Sequence, residues 1–219
     1  MRKEIYFTPE TIQDKSSELL EYVAGSRHRH ENINFYPEKA ALLVLDMQAY
    51  FLQPDSHAFI PSAPAILPGI NALIKAFVDL GQPVIATRHV NTPEDAGMMS
   101  KWWRDLIHPG SAHSQYIKIL KIITATQIKK TQYDAFRDTS LEYTLRTQNV
   151  EQVVITGVMT HLCCETTARS AFMRGFEVFF TVDGTSTYNE ELHRASLLTL
   201  SHGFALPVTV GEVLAGSSL

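Results

Sequence analysis

Six short apolar runs alternating with helical segments predict an α/β fold in which a parallel sheet is sandwiched between helix layers. The runs are continuously apolar rather than alternating, as suits strands covered on both faces. The length of 219 residues fits one ordinary α/β domain.

Residues 1–37 read as an N-terminal helical arm, and residues 38–219 as the main domain. Thr8-Pro9-Glu10 opens a helix, with proline early and acid in the first turn. Ile12, Leu19, Leu20, Tyr22 and Val23 form its apolar stripe, and Gly25 is placed to end it. Ser26 to Glu31 is a polar linker; its His28 and His30 have no third ligand nearby and read as a solvated loop. Ala40 to Leu45 is the first strand, ending in Asp46. A helix follows over Ala65 to Leu80, closing at Gly81, and then a strand over Pro83 to Thr87. Gln127 to Lys130 is a short third strand and Ser140 to Arg146 a helix. Gln152 to Thr156 is a strand ending at Gly157, with a helix over Cys163 to Arg174 that closes at Gly175. A strand over Glu177 to Val182, a helix over Glu190 to His202 and a strand over Ala205 to Val210 complete the series. The connection from Asn91 to Ile123 is too long for a bare loop and is expected to contain helices and to wall a pocket.

Composition narrows the function classes. Nineteen basic against 23 acidic side chains give a net charge of −4, which argues against a nucleic-acid partner. A hydrophobic fraction of 45% fits a globular core. The two cysteines, Cys163 and Cys164, are adjacent and cannot build a disulfide framework, so the chain reads as reduced and cytoplasmic. No run approaches the ~18 apolar residues of a membrane helix. No apolar signal segment precedes Pro9, and the early acids Glu4, Glu10 and Asp14 argue against a mitochondrial address.

In an open parallel sheet, ligands bind beyond the carboxyl ends of the strands. Those ends carry Asp46, Arg88, His89, Lys130, the stretch Gly157 to Cys163, and Asp183. Asp46-Met-Gln-Ala-Tyr-Phe has no glycine for a dinucleotide turn, and neither a phosphate loop, a Gly-x-Ser-x-Gly elbow nor a His-Glu-x-x-His motif occurs. Cys163 stands at a predicted helix start, where free N–H groups favour a thiolate and can hold an oxyanion. Lys130 would add positive charge, and Asp46 would take the thiol proton and return it to a leaving amine. Blander roles exist for each: Cys163 as a small core residue, Asp46 as a turn residue, Lys130 beside Lys129 as a solvated cation. Cys164, ~100° further round the helix, reads as buried and structural.

At these residues the chain resembles the isochorismatase-like hydrolase superfamily, which includes nicotinamidases and N-carbamoylsarcosine amidases. Ala41-Leu-Leu-Val-Leu-Asp-Met-Gln-Ala-Tyr-Phe51, Lys130-Thr-Gln-Tyr-Asp-Ala-Phe136 and Gly157-Val-Met-Thr-His-Leu-Cys-Cys-Glu-Thr-Thr-Ala168 carry the likeness. The resemblance implies a six-stranded sheet of order 3-2-1-4-5-6 and a catalytic triad of Asp46, Lys130 and Cys163. It also implies a cis peptide between Val158 and Met159, with the N–H groups of Met159 and Cys163 facing the oxyanion. It implies a small-molecule substrate, no cofactor, and a homo-oligomer, dimer or tetramer, with the N-terminal helix available as an arm across the interface. Two departures matter. Nicotinamidases carry an Asp-x-His metal motif where this chain reads His89-Val-Asn91, so no metal is assigned, although His57 and His89 are candidate ligands. True isochorismatases carry glycine at the position of Cys163, so the cysteine favours covalent amide hydrolysis over vinyl-ether hydrolysis with Asp46 as acid. A catalytically inactive binding partner is a third reading, opposed by the complete triad.

Candidate substrate contacts are Gln48, Phe51, Trp102, Tyr133, Phe136 and His161. Trp102 and its neighbour Trp103 point to different faces, so at most one meets substrate. Gln48 either orients Asp46 or caps a turn. His161 is either a substrate contact or a hydrogen-bonded turn residue, and Arg88 either a carboxylate ligand or a surface residue.

Overall fold

The computed structural model describes residues 2–30, 32–122 and 124–216. Glu31 of the polar linker, Ile123 of the long connection and residues 217–219 of the main domain lie outside them. The strands are β1 Ala40–Leu45, β2 Val84–His89, β3 Thr126–Lys130, β4 Gln152–Val158, β5 Glu177–Ser186 and β6 Leu206–Val208. All pair in parallel in the order β3-β2-β1-β4-β5-β6. Among the described residues the helices are α1 Ile12–Tyr22, α2 Ala24–Arg27, α3 Ala49–Leu52, α4 Ala63–Asp79, α5 Met99–Trp102, α6 Leu141–Thr147, α7 Glu165–Met173, α8 Glu190–Gly203 and α9 Val210–Ala215.

The physical reason for this order lies in the handedness of crossovers. β1 to β2 to β3 steps one way along the sheet, and β4 to β5 to β6 steps the other. Right-handed connections then put α4 on one face and α7 and α8 on the opposite face. The reversal lies between β1 and β4, which makes their carboxyl ends the switch point where an open sheet binds ligands. β1 is central and every one of its six residues is buried. Its unbroken run Ala-Ala-Leu-Leu-Val-Leu is the composition that double coverage demands.

β1 and β4 approach closely at their ends, where Leu45 pairs with Gly157. Gly157 has φ +112°, and an added Cβ would sit 2.1 Å from the Leu45 carbonyl oxygen. Both facts require glycine. Gly157→Ala is therefore expected to cost about 4 kcal/mol or more, or to prevent folding, as denaturant unfolding would show.

Several boundaries differ from the sequence expectation. α1 stops at Tyr22 and the chain passes through Gly25 inside α2, so Gly25 does not end the first helix. Ser26 to His30 is likewise wound, in α2 and a following 3-10 turn, rather than an open linker. β2 runs on through Arg88 and His89. β5 runs on to Ser186, so Asp183 lies within the strand, where its Oδ1 accepts from the Val210 N–H at the start of α9. The last strand stops at Val208, because a Thr209–Glu212 capping box starts α9. Among its described residues, the long connection holds only α5 and a 3-10 turn at Ala112–Ser114. In the N-terminal part, Phe7, Leu19, Val23 and Phe35 are buried in the same apolar cluster as the sheet.

Candidate active site

Asp46, Lys130 and Cys163 converge at the carboxyl ends of three different strands. Asp46 follows β1 in a left-handed conformation, φ +52°. Such backbone in a non-glycine residue clusters at functional sites. Its N–H donates to the Thr87 carbonyl (3.2 Å), and its Oδ1 accepts from the Thr87 hydroxyl (2.7 Å). Lys130 ends β3, which β2 separates from β1. Strands lie ~4.8 Å apart, so the two backbones are on the order of 10 Å apart, and only a long side chain spans that distance. The Lys130 Nζ crosses over β2 to reach Asp46 Oδ2 at 2.7 Å. It also lies 3.3 Å from Cys163 Sγ, 3.3 Å from His89 Nδ1 and 2.9 Å from the Gln132 carbonyl. Cys163 lies in a wide π-type turn over Thr160–Cys164 that leads into α7. π-type turns are frequent at functional sites. The peptide between Val158 and Met159, just before that turn, is cis.

The electrostatics follow from burial and pairing. Burial alone would raise the Asp46 carboxyl, but the Lys130 ammonium outweighs it and holds it ionised. Burial would pull the Lys130 ammonium down, but Asp46 and Cys163 outweigh it and its pKa is raised. The Cys163 thiol goes the other way. Burial, then the neighbouring Asp46 charge, overcome the pull of Lys130 and push it up to about 12. This direction runs against the thiolate expected at a helix start. The sulfur is buried beside a carboxylate, and the resting group is an S–H held against Asp46.

A pH dependence of labelling follows. With the thiol near 12, about one molecule in 10⁴ carries a thiolate at pH 8, and the reactive fraction rises about tenfold per pH unit. Alkylation of Cys163, followed by mass spectrometry, is expected to be slow at neutral pH and to climb continuously from pH 7 to 10. A plateau below pH 8 would contradict this.

His89 is the remaining polar group of the cluster. Asn91 Nδ2 donates to the Thr131 carbonyl (2.9 Å) and to Asp95 (3.3 Å), so Asn91 Oδ1 must accept from His89 Nε2–H at 2.7 Å. The network thereby assigns the His89 tautomer and leaves Nδ1 bare towards Lys130. Burial, reinforced by Lys130, lowers His89 to about 4, so the ring is neutral at pH 7. Donor atoms of Asp46, His89 and Cys163 all lie within 4.8 Å of one another, a spacing a metal ion would accept. However, the Lys130 ammonium is in contact with all three. The cluster already holds a cation of the chain's own, and the His89-x-Asn91 pair is spent on itself. These residues do not fit a metal.

Cys163 opens into a cavity of about 300 Å³. This is the small end of the range for ligand pockets. Phe51, Met99, Trp103, Tyr133, Leu162 and Tyr188 supply its apolar wall, and Lys3, His57, Asn91, Arg104 and Asp105 its polar rim. Phe51 and Tyr133, two of the candidate substrate contacts, thus line this cavity. Trp102 is not: it is 71% exposed, and Trp103 lines the cavity instead, tied by its Nε1 to the Tyr133 hydroxyl at 2.6 Å. The two residues end a single helical turn, and the chain leaves it at Trp103 in an extended conformation that turns this ring inward.

Gln48 is fully buried away from the cavity wall. It donates to the His89 and Ser114 carbonyls and accepts from the His89 N–H, which consumes its amide. Phe136 stacks on Phe176 in the core. His161 bonds the Thr187 hydroxyl at 2.6 Å, and burial lowers it to about 4. Arg88 reaches Gln115. Lys3, Tyr50, His57 and Tyr188 were not anticipated as pocket residues: Lys3, His57 and Tyr188 come from loops and from the N-terminal segment, far from any motif, while Tyr50 lies in α3, inside the first motif segment, beside the candidate contact Phe51.

A family model described as the isochorismatase domain matches residues 40–212. The chain is 43% identical over 171 residues to Nicotinamidase 3 of Arabidopsis thaliana, across 76% of this chain and 82% of that one. It is 31% identical over 170 residues to the isochorismatase of Bacillus subtilis (strain 168), across 74% of this chain but only 52% of that protein. Among solved structures, a cysteine hydrolase from Pseudomonas syringae pv. phaseolicola 1448A superposes with a TM-score of 0.80 at 24% identity, over 84% of this chain and 94% of that one, a likeness of fold alone. With the sheet order, the three motif segments and the matched span in agreement, the chain belongs to the isochorismatase-like hydrolase family.

Proposed function

We propose that the protein hydrolyses the C–N bond of a small amide through a thioester on Cys163. One observation carries this reading: Cys163 lines an open-mouthed, mainly apolar cavity while its Sγ touches a buried Lys130–Asp46 ion pair. A thiol, a base and a fixed cation then meet where a carbonyl can enter.

Asp46 takes the thiol proton as Sγ bonds to the carbonyl carbon. The carbonyl π electrons move to oxygen, and the N–H groups of Met159 and Cys163 hold the oxyanion. On collapse the C–N bond breaks, and Asp46 returns the proton to the departing nitrogen, which leaves as ammonia or an amine. Water then adds to the thioester carbon and gives its proton to Asp46. The second collapse breaks the C–S bond, the carboxylic acid departs, and the sulfur recovers the proton. Lys130 stays protonated throughout, balancing the carboxylate and then the sulfur. Keeping the sulfur as S–H between turnovers suits this scheme, because proton transfer and attack are coupled.

The test is to mix the protein with a panel of small amides, quench in acid and weigh the intact chain. An adduct equal to the amide minus ammonia, mapped to the peptide containing Cys163, is expected alongside ammonia release. Ammonia release with no adduct would remove the covalent route. A second reading rests on the likeness to the Bacillus isochorismatase and on Asp46 alone: protonation of an enol-ether carbon by that acid, without the thiol. Turnover of isochorismate with no turnover of any amide would favour it.

A further inference from the structure

The N-terminal segment, ahead of the residues matched by the family model, contributes to the cavity. It is stitched to the two loops that wall it. The Glu4 N–H donates to the Tyr188 carbonyl at 2.9 Å, and the Thr187 N–H donates to the Tyr6 hydroxyl at 2.9 Å. The N–H groups of Tyr6 and Phe7 both donate to Ser62 Oγ, at 2.9 and 3.1 Å. Between these anchors, the Lys3 side chain lies on the cavity wall. Its Nζ donates to the His57 carbonyl (2.5 Å) and the Phe59 carbonyl (2.8 Å), and sits 4.4 Å above the Tyr188 ring.

This ammonium is positioned but not neutralised. Three N–H donors meet two carbonyl acceptors, which leaves one donor unused. Among the described residues no carboxylate pairs with it. Its neighbour Glu4 accepts instead from the Glu190 N–H. Asp105, the one acid on the rim, faces His57 Nδ1 (3.2 Å) and Arg104 (3.5 Å). Partial burial lowers the Lys3 pKa, so the charge is short of solvent as well as of a counter-ion. The cavity wall therefore carries an immobilised cation with a spare donor. Among the described residues, Lys3 shares no hydrogen-bonding partner with Cys163.

We propose that Lys3 is a specificity-determining residue that binds a carboxylate of the substrate while the amide of the same molecule lies against Cys163. The proposal rests on the amidase reading and names its substrate class: small amides that carry a second, anionic end. A carboxylate suits one ammonium and a cavity of about 300 Å³ better than a phosphate dianion, which would call on more donors.

Binding is measured by calorimetry on the full chain carrying Cys163→Ala, so that no turnover is needed. The probes are matched pairs, succinamate with butyramide and 4-carbamoylbenzoate with 4-methylbenzamide. In at least one pair the carboxylate is expected to bind about tenfold tighter, as a charge-assisted hydrogen bond in a half-buried site allows. Lys3→Met removes that ratio and Lys3→Arg keeps it, with melting temperatures checking that each variant is folded. Equal or undetectable binding of both members of each pair overturns the proposal, as does a ratio that survives Lys3→Met. Hydrolysis by the chain that retains Cys163 separates the two claims. A carboxylate preference with no amide turnover leaves the subsite standing and removes the amidase reading; amide turnover blind to charge does the reverse.

Discussion

Replacing Cys163 with alanine is expected to abolish amide turnover, lowering kcat/KM by about 10⁴-fold or more, as loss of a nucleophile does in other covalent hydrolases. The fold should survive. The side chain is small, and its removal also takes a buried S–H away from a carboxylate. Thermal unfolding is therefore expected to shift by only a few degrees. Cys163→Ser is the sharper companion, because it keeps a hydroxyl near Asp46 but offers a weaker nucleophile. Ammonia release by Cys163→Ala within tenfold of the unaltered protein would show that the sulfur is not the attacking atom. Cys164→Ala, one residue further and fully buried, is expected to retain turnover.

The second large effect concerns the ion pair beneath the sulfur. Asp46 and Lys130 have no solvent-exposed side-chain surface. Lys130→Met leaves the carboxylate buried without its cation, which typically costs about 3–5 kcal/mol of stability and should also stop turnover. The pH sign is specific. In the intact protein, Asp46 has a lowered pKa, so its contribution is present above the ordinary carboxylate range and fades as pH falls through the folded value. Without Lys130, burial acts unopposed and the Asp46 pKa rises above its unfolded value. The penalty then grows as pH climbs from the carboxylate range towards the new folded pKa, and shrinks again towards pH 4. The double variant Asp46→Asn, Lys130→Met should recover much of the stability and none of the turnover, and denaturant midpoints read this as a cycle. Additive losses in the cycle would mean that the two groups are energetically independent.

Much of this site was legible in the sequence, because it lies at strand ends and strands announce themselves. The unbroken apolar run Ala40 to Leu45 located β1, and Asp46 follows from where that run stops. Lys130 and the Gly157 to Cys163 turn follow by the same logic. The proton on Cys163 was not legible. A helix start argues for a thiolate, but the burial that reverses it is a property of the packed molecule. Asp183 misled for a related reason: β5 runs beyond the apolar stretch, since Thr185 and Ser186 are buried polar residues that extend the strand with no hydrophobic signal. The cavity wall was the least visible part. Trp102 and Trp103 differ by one position on a single helical turn, and only the exit of the chain decides between them. Lys3 and Tyr188 lie at opposite ends of the chain and meet through loop contacts that no local pattern encodes.

The His89 ring has a spectroscopic consequence. One ring nitrogen is committed to Asn91 and the other faces the Lys130 ammonium, so a single tautomer is locked in place a few ångströms from the chemistry. Its nitrogen-15 resonances form an internal gauge: whenever the acid, the sulfur or an acyl group redistributes charge around Lys130, the Nδ1 signal moves with it, while the Nε2 signal stays anchored.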